Sequence, residues 1–202
     1  MCIAEILTRP KRDLEECLKG SRVRPTFTRK QEFTYSLHSS DVEKGHMIMY
    51  QIQECLKKLD TEKEWRTKDQ RIIQQKILAG LLRLIYGKCL EDHEVEILDH
   101  NGFDFRDPLV FVTMPRRGGK TEAIIQLICV LLLCVPGITI RAVAPSFRTA
   151  GGESGLVAGV KRVLADKFKW VSYDKVTEEV VRIKVNGTVR SFHSHPGGNP
   201  DK

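Results

Sequence analysis

The segment that most constrains this chain is an apolar run, Ala123 to Val135, interrupted only by Gln126 and stopped by Pro136-Gly137. It is too short to span a hydrocarbon layer of about 30 Å, so it reads as a helix buried inside a globular protein. Apolar stretches rich in β-formers flank it on both sides: Leu109-Val110-Phe111-Val112 before it, and Ile138 to Ala144 after it. Strand, helix, strand in this length predicts a βαβ unit with parallel strands and a right-handed crossover. The fold class expected is therefore α/β.

Between the first of these strands and the helix lies Thr113-Met114-Pro115-Arg116-Arg117-Gly118-Gly119-Lys120-Thr121. A loop at a strand-to-helix junction can turn its backbone N–H groups, and the positive end of the helix, toward an anion. Gly118 and Gly119 allow close approach because no Cβ intervenes. Lys120 would then place a point charge on the β- and γ-phosphates of a nucleoside triphosphate, and the Thr121 hydroxyl would ligate Mg²⁺. The ordinary form of this motif, G-x-x-x-x-G-K-[ST], has glycine where Met114 stands. ATP and Mg²⁺ are the expected ligands. Met114, Pro115, Arg116, Arg117, Gly118, Gly119, Lys120 and Thr121 form the expected cradle.

The remaining sequence divides into three parts. Residues 1–40 are basic and interrupted by Pro10 and Pro25, which reads as a solvated arm or as an arm touching DNA phosphates. Residues 41–104 form a helical extension. Capping-box spacings occur at Ser40/Glu43 and Thr67/Gln70, followed by apolar stripes through Met49, Ile52, Leu56 and Leu59, and through Ile73, Ile77, Leu81, Leu84 and Ile85. Gly87 is the expected helix stop, with a polar loop running on to Pro108. Residues 105–202 hold the strand–loop–helix unit. A further amphipathic helix is expected from Ser154 to Phe168, and a hairpin where Asn186-Gly187 separates Val180–Val185 from Thr188–Phe192. The six cysteines show no Cys-x-x-Cys pair, which suits reduced, intracellular thiols. A net charge of +7 is compatible with a polyanionic partner. His193 and His195, two apart, read more simply as loop polarity than as metal ligands.

An apolar strand followed by Pro-Arg-Arg-x-Gly-Lys-Thr resembles the large terminase subunit, the DNA-packaging ATPase, of herpesviruses and more loosely of tailed phages. The likeness covers about residues 105–202, including Ala144-Pro145-Ser146-Phe147-Arg148, the hairpin, and the Ser/His/Asn-rich stretch Ser191 to Asn199. It implies a P-loop NTPase sheet of the additional-strand (ASCE, RecA-like) type. Arg116 and Lys120 would be the catalytic residues, with Arg116 sensing the γ-phosphate in cis; Arg117 reads more simply as a solvated charge. It also implies duplex viral DNA, a capsid portal, a small terminase subunit and other copies in a ring as partners, and no membrane. The setting would be intracellular, the host nucleus for a herpesvirus-like protein. Gln70 or Gln74 would supply an adenine contact by the same analogy, although surface helix glutamine is the simpler reading.

The terminase pattern continues with an apolar strand ending in Asp-Glu, which holds Mg²⁺ and orients the attacking water. No such strand follows the loop here, and Val95-Glu96-Ile97-Leu98-Asp99 precedes it in the wrong order. The expectation is thus a front half of such a motor, competent to bind ATP and inefficient in hydrolysis by itself. A helicase fragment of superfamily 1 or 2 and a nucleotide- or DNA-binding module without turnover are the alternative readings.

Overall fold

The computed structural model describes residues 41–60, 66–106, 110–113, 118–144 and 155–196. The order is α1 (Asp41–Leu59), α2 (Lys68–Gly80), α3 (Leu82–Tyr86), α4 (Cys89–Asp92), α5 (Glu94–Asn101), α6 (Lys120–Cys134), β1 (Thr139–Ala144), α7 (Leu156–Lys167), β2 (Ser172–Val176), β3 (Val180–Val185) and β4 (Thr188–Pro196). The α/β class expected from the sequence is what forms.

α6 is the centre. Ten of its fifteen residues are buried, so it is surrounded rather than laid on a surface. Its neighbours are α1, α2, α7 and β4. One hydrophobic core runs from Met49, Ile52 and Leu56 on α1, through α6, to Val160 and Leu164 on α7 and Val181, Ile183 and Phe192 on the sheet. No helix among the described residues is long and apolar enough to cross a membrane.

The sheet is mixed, in the order β1-β4-β3-β2, with β1 parallel to β4 and the other two pairs antiparallel. The hairpin forms at the expected place: Val185 pairs with Thr188, and Asn186 and Gly187 both take positive φ, 49° and 76°. That is the conformation a type I′ turn requires.

Two expectations are corrected. Of the expected strand 109–112, Leu109 lies outside the described residues and Val110 to Val112 form no strand, with Phe111 84% exposed, so the βαβ unit is not formed by the described residues. β1 finds its parallel neighbour in β4 instead, fifty residues downstream. A four-residue apolar run supplies side chains for a strand, but the ladder needs a partner in register, and composition does not specify one. The polar loop expected after Gly87 contains α4 and α5, anchored by Leu90 and Ile97, both fully buried. Val95–Asp99 is therefore helical. β2 was not expected at all; its five residues are exposed and carry no alternation, and it exists by pairing with β3. Ser40 and Ser154 lie outside the described residues.

Polar groups close the helical layer. The buried Tyr86 hydroxyl accepts from Asn101 Nδ2 and meets His46 Nδ1, each at 2.9 Å, tying α1, α3 and α5 together. Burial pushes the Tyr86 phenol up to about 12. Burial, then the facing His100 ring 3.7 Å away, lowers the His46 pKa; Glu96 and Glu43 oppose this without reversing it. At the other end of the core, Arg190 on β4 is 4% exposed and donates from Nη1 to Leu132 O at 2.9 Å and to Leu133 O. It satisfies orphan carbonyls at the C-terminus of α6 and places a cation at the negative end of the helix dipole.

Two outcomes follow from these contacts. Arg190→Ala strands buried carbonyls and should lower unfolding free energy by about 1–3 kcal/mol, read as a shift in urea midpoint. A neutral folded-state His46 means the unfolded chain binds more protons below about pH 6.5. Stability should therefore fall as pH drops through that value toward the depressed folded pKa. His46→Gln should flatten this part of the profile, and an unchanged slope would remove His46 from the account.

Candidate phosphate-binding site

Gly118 and Gly119 lead directly into α6. Gly119 is the N-cap residue with φ +79°, a left-handed conformation that favours glycine. Gly119 has no side chain and so makes no side-chain cap hydrogen bond of its own. Lys120 opens α6 half-buried, and Thr121 follows exposed. Gly118 is half-buried within the bend before the helix. Met114, Pro115, Arg116 and Arg117 lie outside the described residues, as do Pro145 to Ala150.

What holds this helix start in place comes from α2, and sequence reasoning undervalued it. Gln70 and Gln74, read there as surface residues, are 7% and 1% exposed. Gln70 closes the capping box with Thr67: its backbone N–H donates to Thr67 Oγ1, and its Oε1 accepts from the Thr67 N–H. The same carboxamide donates from Nε2 to Gly119 O at 3.2 Å. Gly119 O also accepts from the Ala123 N–H at 3.0 Å, so both its lone pairs are used. A Cβ on Gly119 would meet Gln70 Nε2 at 2.5 Å and displace its hydrogen bond, which adds to the conformational reason for glycine at this position.

One turn along, Gln74 donates from Nε2 to Ala123 O at 3.0 Å and to Gln126 Oε1 at 3.2 Å, while its Oε1 accepts from Arg66 Nη1 at 2.7 Å. Arg66 in turn forks onto Asp60, Nε and Nη2 each donating to a carboxylate oxygen at 2.8 Å. Burial works against the Asp60 charge, but the hydrogen bonds and charge of Arg66, with Arg71 beyond, outweigh it and hold the carboxyl below its usual range. The chain Asp60–Arg66–Gln74–Ala123 is thus a buried polar network in which each named member has a partner. The only advance signal was the Thr67/Gln70 capping-box spacing; the spare amide protons of Gln70 and Gln74 had no visible destination.

Beside the helix start lies a cavity of about 700 Å³, lined among others by Gln70, Glu122, Gln126, Arg162 and Asp166. Its volume falls in the range of small-ligand sites. Arg162 on α7 pairs with Glu122 on α6 at 3.0 Å beside it, partly offsetting the acidic charge near the loop. His193 and His195 stand on β4 rather than in a loop, ring centroids 6.1 Å apart, with His195 Nδ1 3.8 Å from Glu179. Burial, then Arg141, His195 and Arg182, lowers the His193 pKa. Val95–Asp99, being helical, offers no acidic strand end.

Fold and site together define an α/β protein with a mixed sheet, whose central helix begins at a glycine-rich, lysine-bearing turn. No protein-family model matches the chain, and no curated protein matches it.

Gln74→Leu leaves Arg66 Nη1 and Ala123 O short of a partner inside the core. The expected loss is about 1–3 kcal/mol of unfolding free energy, measured by urea denaturation. A near-neutral result would show that the network does not secure the start of α6.

Proposed function

We propose that the chain binds ATP through the turn Gly118–Thr121, as part of a DNA-packaging motor of the large-terminase kind. The observation that carries the nucleotide reading is the junction at Gly119: a left-handed glycine, no side-chain cap, and Lys120-Thr121 as the first residues of α6. A left-handed glycine N-cap followed by a lysine suits a phosphate group electrostatically and geometrically. Lys120 binds the β- and γ-phosphates as a point charge, and Thr121, exposed one residue later, offers its hydroxyl to the accompanying Mg²⁺. That ion neutralises charge on the phosphates when bound. Gln70 lines the adjoining cleft and also donates to Gly119 O.

The packaging reading rests on Pro115-Arg116-Arg117-Gly118-Gly119-Lys120-Thr121 and the segments that accompany it. In that reading the P-loop sheet is of the additional-strand type. Arg116 senses the γ-phosphate, and the partners are duplex viral DNA, a portal, a small subunit and further copies of the chain. The net charge of +7 favours a polyanionic partner of this sort.

Titration calorimetry with ATP and Mg²⁺ tests the nucleotide part. Lys120→Ala should raise the Kd at least about tenfold, the equivalent of one lost charge-assisted contact of about 1.4 kcal/mol. Equal affinity in both proteins would remove the loop from the binding site.

A further inference from the structure

α1 and α6 pack together in the core, and two thiols meet between them. Cys134 Sγ lies 3.7 Å from Cys55 Sγ, with both side chains buried and unbonded to each other. The other described cysteines are placed differently. Cys89 Sγ donates to Tyr86 O at 2.7 Å, and Cys129 Sγ to Val160 O at 3.6 Å. We propose that Cys55 and Cys134 are an oxidation site, at which a hydroperoxide converts the thiol pair into a disulfide joining α1 to α6.

The chemistry has a direction. The Cys134 thiol donates its proton toward the Cys55 sulfur, and this hydrogen bond lowers the Cys55 pKa against the opposing effect of burial, helped by Lys58 one turn along. The Cys134 thiol is raised, by that same hydrogen bond and by burial. Cys55, 7% exposed against 4% for Cys134, is the sulfur a small oxidant reaches first, so it is the attacking thiol and Cys134 the resolving one. The Cys55 thiolate attacks the peroxide, the O–O bond breaks, and the departing oxygen takes a proton to leave as an alcohol, or as water from hydrogen peroxide. Cys55 is then a sulfenic acid. The Cys134 sulfur attacks it, the S–O bond breaks, and hydroxide leaves with the Cys134 proton as water. Two thiols are oxidised and one peroxide is reduced.

Geometry favours this pair. A disulfide S–S bond is about 2.05 Å, so the sulfurs must close by less than about 2 Å. Cys134 is the last residue of α6, just before the exposed Pro136-Gly137 turn, and Cys55 lies one turn from the end of α1 at Leu59. The Cys55 side of the pair is 7% exposed, so a small oxidant reaches it through local opening at the end of α1.

Treat the full chain with hydrogen peroxide under native conditions, alkylate the remaining thiols, digest without reductant, and map the peptides by mass. The expected product is a Cys55–Cys134 linked peptide pair, lighter by two hydrogens than the separate thiol peptides. The Tm should rise by about 5 °C or more, because the bond closes a long loop, and thiol reductant should reverse this. Alkylated, unlinked Cys55 and Cys134 after other thiols have oxidised would overturn the proposal, as would predominant linkage to other cysteines. Cys55→Ala should abolish the Tm rise; because the mapping uses the unmodified sequence, the test stands even if that variant folds poorly.

Discussion

The burial of α6 on nearly every side is the constraint on which the rest of the structure depends. Each buried leucine, isoleucine or valine on it contributes about 1.5–3 kcal/mol relative to exposure, and they are contributed against three different neighbours: the helical extension, α7 and the sheet. A helix enclosed in this way cannot rotate or slide without undoing packing on all of them. Its two ends therefore occupy defined positions, and whatever is attached to those ends is positioned as well.

Enclosure also creates a difficulty, because the ends of a helix carry backbone groups without intrahelical partners. At the C-terminus Arg190 reaches across from β4 and takes up Leu132 and Leu133 carbonyls. At the N-terminus the carbonyls of Gly119 and Ala123 are held by Gln70 and Gln74 from α2, and the N-cap residue is a glycine. The asymmetry matters. Protein donors are spent on carbonyls at both ends, and the positive end starts at a glycine that has no side chain to cap it. Lys120 and Thr121 are the first two residues of the helix at this end.

The network behind Gln74 adds rigidity. Asp60 and Arg66 are joined by a forked ion pair, and Arg66 hands a hydrogen bond to Gln74, which hands two to α6. Partly satisfied, such a network would be costly in a core; satisfied, it fixes the relative placement of α2 and α6 more sharply than apolar contact does. The glycine-rich turn is thereby supported from outside its own segment.

Much of this architecture was legible in the sequence. The apolar run from Ala123, broken only by Gln126, marked α6, Thr67 with Gln70 marked the start of α2, and Asn186-Gly187 marked the hairpin, because each depends on residues within a turn or two of one another. The lysine-bearing turn was legible for the same reason. Tertiary structure alone decided that β4 rather than Val110–Thr113 lies beside β1, and that the exposed residues of β2 form a strand. It alone decided that Gln70, Gln74 and Arg190 are inside and what they bind. Periodicity, capping and turn chemistry are local and written in neighbouring residues. The partner of a strand, or of a spare amide proton about fifty positions away, is chosen by how the packed elements meet.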